Sequence, residues 1–189
     1  MGSGLILLGI CVVSLIYGIS LYNNLVSLKH AVSKAWANID VLLKQRHDEL
    51  PKLVEVCKQY KQFEQETLQR VIAARSQVQA AREGQDIGAL GKAEGAMRAS
   101  LGGLFAVAEA YPELKSNEHF MQLQTRITGL ENGIADRREL YNDSVNIYNV
   151  GIEQFPAVLI ANMFAYADKP LLEFATAEKA DVDIKSLFS

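Results

Sequence analysis

The chain has 189 residues, of which 49% are hydrophobic and 22% charged, and a formal net charge of −3. That is ample for one ordinary hydrophobic core, while the lack of a clustered Lys/Arg footprint with interleaved aromatics argues against a nucleic-acid partner. Cys11 and Cys57 have no mates at metal or redox-motif spacing and read as small apolar fillers in a reducing compartment.

No charged side chain occurs in residues 1–28, and residues 5–21 are almost wholly apolar. Roughly 18–20 such residues cross a hydrocarbon core of about 30 Å, so residues 1–24 are predicted to form a transmembrane anchor. A cleaved signal peptide has a basic start and a small-x-small cleavage site. Met1-Gly2-Ser3-Gly4 has no Lys or Arg, and Ser20-Leu21-Tyr22 is a poor site. A lipoprotein signal is weak too, because Ile10 stands where a small residue should precede Cys11. Tyr22, Asn23 and Asn24 suit the exit interface. Lys29, Lys34, Lys44 and Arg46 all follow the span, which predicts a single-pass protein of the inner (cytoplasmic) membrane, N-terminus outside and main domain cytoplasmic. Within the span, Cys11, Ser14 and Gly18 lie at i, i+3, i+7, a small-residue face of the kind through which membrane helices pack. A homo-oligomer is expected.

Beyond the anchor, apolar residues recur every three or four positions, as a helix stripe requires. The first helix continues the anchor through Leu25, Leu28, Val32, Ala35, Ile39 and Leu42, with Trp36 beside the stripe. A second is predicted over about residues 48–82 with Pro51 in its first turn; alternatively, Pro51 kinks one long helix. The third, about residues 86–110, is rich in glycine and alanine. Each interior glycine costs up to about 1 kcal/mol relative to alanine, so this helix needs close neighbours. The fourth starts near residues 112–117 and carries one stripe from Phe120 to Phe155, heptads broken by a single stutter. It would be roughly 55–60 Å long. The fold class predicted is all-α: a transmembrane helix continuing into a long, rod-like antiparallel four-helix bundle over residues 25–166, then a tail over 167–189. Residues 157–166 are apolar but too short to span a bilayer; folding back on the bundle is expected, with a membrane-surface or partner contact as alternatives. Val182, Ile184, Leu187 and Phe188 in the tail read as a docked extension or a free peptide motif.

His30, His47 and His119 are scattered, without the Glu-x-x-His pairs of di-iron bundles. No HExxH, phosphate loop or nucleophile elbow occurs. The expectation is therefore no catalytic residue, no cofactor and no metal ligand. More informative are polar residues at stripe positions: Arg137 in the fourth helix, Glu64 and Thr67 in the second, Glu94 in the third. A buried charge without a partner costs several kcal/mol, so Arg137 is expected to pair with Glu64 or Asp40 and fix helix register; exposed charges on an imperfect stripe are the alternative. Asn142, Asn146 and Asn149, at i, i+4, i+7 beside Tyr141 and Tyr148, suggest interhelical hydrogen bonds or a partner-binding strip.

Several of these segments resemble one family. Trp36-Ala-Asn-Ile-Asp40-Val-Leu-Leu-Lys-Gln-Arg46 and Asp48-Glu-Leu-Pro51-Lys-Leu-Val are similar to signature stretches of LemA proteins. So are Tyr111-Pro-Glu-Leu-Lys-Ser-Asn-Glu, Glu131-Asn-Gly-Ile-Ala-Asp-Arg137-Arg138 with Tyr141-Asn142, and Val145-Asn-Ile-Tyr-Asn149 leading to Phe155-Pro156. The resemblance spans residues 22–164. It implies an N-terminal membrane helix, an N-out topology and a small helical bundle, but no particular reaction. Family members often accompany membrane proteases or occur in membrane-organelle gene sets, which implies scaffolding or quality control. The expected function is a non-enzymatic bacterial membrane scaffold or adaptor whose partners are the lipid bilayer, further copies of itself and other membrane proteins such as a membrane protease. Its candidate interaction residues are Trp36, Asp40, Arg46, Glu64, Arg137, Tyr141, Asn142, Asn146 and Asn149. A structural homo-oligomer that shapes membrane is the alternative, and a sensor or enzyme using an interhelical polar pocket is a third.

Overall fold

The computed structural model describes residues 2–60 and 62–173. Among them every regular element is an α-helix: α1 (Gly2–Lys58), α2 (Gln65–Glu83), α3 (Ile87–Ala108), α4 (Pro112–Lys115), α5 (Glu118–Glu153) and α6 (Ala157–Met163). The all-α class with a long apolar N-terminal helix holds. Val182, Ile184, Leu187 and Phe188 lie outside the described residues.

The boundary expected at Pro51 is absent: α1 runs through it to Lys58, and the break falls in residues 59–64. An interior proline removes one i→i−4 hydrogen bond and orphans a carbonyl, here that of His47. The orphan is satisfied from outside the helix, because Arg75 Nε of α2 donates to His47 O at 3.0 Å. The true break is held by aromatic groups. Tyr111 Oη donates to Gln62 O at 2.6 Å, its ring lies 5.3 Å from that of Phe63, and Asn117 Nδ2 donates to Tyr60 Oη at 3.2 Å. Asn117 also caps α5, its Oδ1 accepting from Phe120 N at 3.1 Å.

The described residues divide into two compact units, residues 2–39 with 136–171 and residues 40–135 with 172–173, so α1 and α5 each supply a segment to both. In the first unit, α1 pairs antiparallel with α5. Leu28 meets Gly151, where an added Cβ would come within 2.6 Å of Leu28 Cδ1, and Trp36 meets Tyr141 edge-on at 5.9 Å. Leu25, Val32 and Ile39, spaced by heptads on α1, are buried in this unit with Tyr141, Val145, Tyr148 and Ile152 of α5 and Ala157 and Ala161 of α6. Each leucine or valine so buried contributes about 2 kcal/mol. Ahead of Leu25 the helix is bare: the large apolar side chains from Leu5 to Ile19 are exposed, and the most apolar 18-residue window, of mean hydropathy 2.4, has none of its residues buried. A core helix would be covered; this one is long and apolar enough to cross a membrane.

In the second unit, residues 40–58 of α1 run antiparallel to α5. Leu42 approaches Gly133, and Glu49 approaches Arg126 at 3.1 Å. α2 and α3 form a hairpin through residues 84–86, with Gln85 at φ 52° and Asp86 capping α3 by accepting from Ala89 N at 2.8 Å. Leu43, Leu50, Leu53, Leu68, Leu90, Met97, Leu104, Leu114 and Phe120 make its core. The close packing expected of the glycines of α3 is found at Gly91, where any Cβ would collide with the carbonyl of Glu173, whereas Gly102 and Gly103 are exposed with open space before them.

Candidate functional site

The most unusual chemistry of the second unit is a charge cluster inside its core. Arg46 is 1% exposed and Glu94 is 2% exposed. The guanidinium grips Glu94 bidentately, Nη1 donating to Oε2 at 2.9 Å and Nη2 to Oε1. Nη1 also donates to Glu131 Oε1, while Arg98 Nε lies 3.8 Å from Glu131 Oε2. Burial works against the Arg46 charge, but the carboxylates of Glu94 and Glu131 outweigh it and its pKa is raised. The fork of an arginine matches a carboxylate in two parallel bonds, which a lysine cannot do. Three helices, α1, α3 and α5, are thereby tied at one level.

Further pairs flank the cluster. Glu49, buried, takes Lys52 at 3.2 Å and Arg126 at 3.1 Å. Asp40 is gripped by Arg82 of α2 through Nε to Oδ1 and Nη2 to Oδ2, the latter at 3.0 Å, and this hydrogen bonding holds its carboxyl below the usual range. Burial, reinforced by Arg75, lowers the pKa of His47, whose Nε2 lies 2.6 Å from Arg75 Nη2. Burial lifts the Cys57 thiol to about 12, leaving it inert. Each of these carboxylates faces a cation, an arrangement suited to fixing helix register.

The pairing expected for Arg137 is not the one formed. Arg137 is exposed; Asp40 is taken by Arg82, and Glu64, exposed just before α2, accepts from Thr67 Oγ1 at 3.1 Å. The stutter is the reason: the buried residues of α5 step directly from Ile134 to Tyr141, which leaves position 137 outside the seam. Glu94 stands out in the sequence from its place in an apolar stripe and Arg46 from the family resemblance, but their pairing across 48 residues, and that of Arg46 with Glu131 across 85, lies beyond any local signal.

In the first unit the polar candidates hold a return segment. Tyr141 Oη donates to Pro170 O at 3.2 Å and Tyr148 Oη to Ala167 O at 3.0 Å. Asn149 pairs with the Lys169 backbone twice, Nδ2 donating to its carbonyl at 3.0 Å and Oδ1 accepting from its N–H at 2.9 Å. Burial raises the pKa of both tyrosines. Asn149 thus bonds a non-helical segment rather than another helix. Asn142 is half-buried and Asn146 exposed. Cys11 and Ser14 are exposed and Gly18 is half-exposed, all on the bare stretch of α1.

A bare apolar helix that continues without a break into a helical unit tied by buried Arg–Glu pairs defines a helical protein of the membrane-associated class. The sequence profile of the LemA family matches residues 35–185, and the chain belongs to that family. Magnetosome proteins MamQ 1 and MamQ 2 of Paramagnetospirillum magneticum are each 25% identical to it over 158 residues, 71% of this chain and 58% of theirs. Magnetosome protein MamQ of Magnetospirillum gryphiswaldense is 36% identical over 64 residues, 34% of this chain and 24% of its own length. The chain therefore spans little more than half the length of the curated relatives it matches.

Proposed function

We propose that the protein is a non-enzymatic, single-pass membrane scaffold that self-associates and presents its helical units to other membrane proteins at the cytoplasmic face. One observation carries this reading: the bare apolar stretch and the buried residues Leu25, Val32 and Ile39 belong to the same unbroken helix. An anchor of this kind is a structural member of the folded unit, so whatever orients it in the bilayer orients the partner-facing residues. The magnetosome proteins among its relatives support a role within an assembly. Crosslinking in intact cells, followed by mass spectrometry, tests the reading. Stoichiometric links to a second membrane protein support the adaptor, and links confined to copies of this chain overturn it in favour of a structural homo-oligomer. A reporter joined at Ser189 is expected to be active only in its cytoplasmic form. Replacing Ser14 and Gly18 together with leucine is expected to lower the mass of the detergent-solubilised assembly, because leucine keeps helices apart where small residues let them meet.

A further inference from the structure

Beside the exit of the apolar helix lies a cavity of about 400 Å³ lined by Tyr22, Lys29, Tyr148, Phe164 and the segment from Tyr166 to Lys169. Its size falls in the range of ordinary ligand sites. Two ammonium groups stand at it, each over an aromatic face: Lys29 Nζ lies 5.8 Å from the Tyr166 ring centroid, and Lys169 Nζ lies 5.7 Å from that of Tyr148. Asp168 is the carboxylate in the lining, so cations outnumber anions two to one. The wall is built rather than accidental, since Tyr148 and Asn149 pin residues 167–169 by the three hydrogen bonds described above.

The lining residue Phe164 follows directly on α6, and the apolar residues on and just before that helix are uncovered. Phe155 is 82% exposed, Met163 is 74% exposed, and Leu159 and Phe164 are exposed as well. The Phe164 ring packs on Tyr22 at 4.7 Å, which sets the end of α6 beside the residue that follows the apolar stretch. Lys29 comes seven residues after Tyr22, about 10 Å further along the helix axis. The headgroup layer is about 5–8 Å deep on each side of the hydrocarbon, so a flexible lysine at that height reaches phosphate level.

We propose that this cavity binds the anionic headgroup of a phospholipid, its phosphate held between Lys29 and Lys169 and its acyl chains lying against Phe155, Leu159, Met163 and Phe164. The assignment rests on the reading that residues 5–21 span the bilayer. A free phosphate would satisfy the lysines but leave the apolar surround bare; a lipid satisfies both.

The test is native mass spectrometry of the full chain in detergent, titrated with phosphatidylglycerol or phosphatidylcholine. Phosphatidylglycerol is expected to bind roughly thirtyfold more tightly, the contribution of two lysines close to an anionic group. That preference is expected to vanish in Lys29→Gln/Lys169→Gln and to survive in Lys29→Arg/Lys169→Arg, where charge and stacking persist. Equal binding of the two lipids by the natural chain overturns the proposal, as does a preference retained by the glutamine pair. Displacement of phosphatidylglycerol by millimolar inorganic phosphate assigns a soluble anion and overturns the lipid. A separate arm follows Tyr17→Trp in a Trp36→Phe background in vesicles of brominated phosphatidylcholine. Quenching there with no lipid preference overturns the headgroup site alone; no quenching overturns the membrane-spanning reading as well.

Discussion

The two units solve the same packing problem with opposite polar chemistry. Among the described residues, every buried charged side chain (Arg46, Glu49 and Glu94) belongs to the second unit. The first unit, which contains the bare apolar helix, uses neutral groups instead: tyrosine hydroxyls and an asparagine amide bonded to backbone. A buried ion pair adds little net stability, because desolvation offsets the attraction, yet it penalises any register that leaves a charge unpaired. Neutral bonds to backbone cost less to bury and fix a segment instead of a helix level. The second unit is therefore specified by charge matching among helices, and the first by apolar heptads plus a strap.

The largest expected effect breaks the charge matching. Glu94→Ala leaves Arg46 buried with Glu131 alone and is expected to destabilise the second unit by about 3 kcal/mol. Urea unfolding followed by residue-resolved hydrogen exchange measures it, and Arg46→Met/Glu94→Leu is expected to recover most of the loss. In the first unit, Asn149→Ala removes two hydrogen bonds and is expected to open residues 167–170 at a cost of about 2 kcal/mol, read as faster amide exchange at Lys169 with the Arg46 region unchanged. A smaller effect concerns the proline carbonyl. Arg75→Ala is expected to cost about 1 kcal/mol, and less in a Pro51→Ala background, where residue 51 regains the N–H that satisfies His47. Equal costs in the two backgrounds would remove the proposed compensation.

The finest contrast is in pH. His47 titrates below its usual 6.5 in the folded chain, so above 6.5 its contribution is whole. As pH falls beneath that value the unfolded chain takes up the proton first and stability declines. Asp40, held below 3.8, adds a second loss as pH falls below that value. Tyr141 and Tyr148 have the opposite sense: raised above 10, they cost the first unit stability as pH climbs past 10, where the unfolded chain ionises first. Acid is expected to loosen the second unit alone, with His47→Asn flattening the step near 6.5. Alkali is expected to loosen both, the first through its tyrosines and the second through Cys57, whose thiol is held at about 12 against 9.0 in the unfolded chain. Tyr141→Phe is expected to blunt the alkaline step in the first unit and Cys57→Ala that in the second, read from exchange rates in each unit.

Much of this architecture is written locally. The uncharged start, the heptads of Leu25, Val32 and Ile39, and the stripe from Phe120 to Ile152 are local patterns. Helix formation and most of the buried face follow from that spacing, although Arg137 within the stripe and Phe155 beyond the end of α5 stand exposed. The family resemblance was legible for the same reason, in contiguous stretches around Trp36, Tyr111 and Tyr148. Partner choice was not legible. Arg46 finds Glu94 and Glu131 at separations of 48 and 85 residues, and Asp40 finds Arg82 at 42. The proline at position 51 looks like a helix start until Arg75, 28 residues from His47, supplies the missing donor. Asn149 and Tyr148 likewise needed a segment that reads as featureless tail. Spacing within a turn or two sets which segments are helical and most of the face each buries, because those depend on near neighbours. Which charges meet, where α1 ends, why Arg137 leaves the seam and what the polar residues of α5 hold follow only from the packed fold, because hydrogen bonds and ion pairs demand contact between groups that the chain order keeps apart.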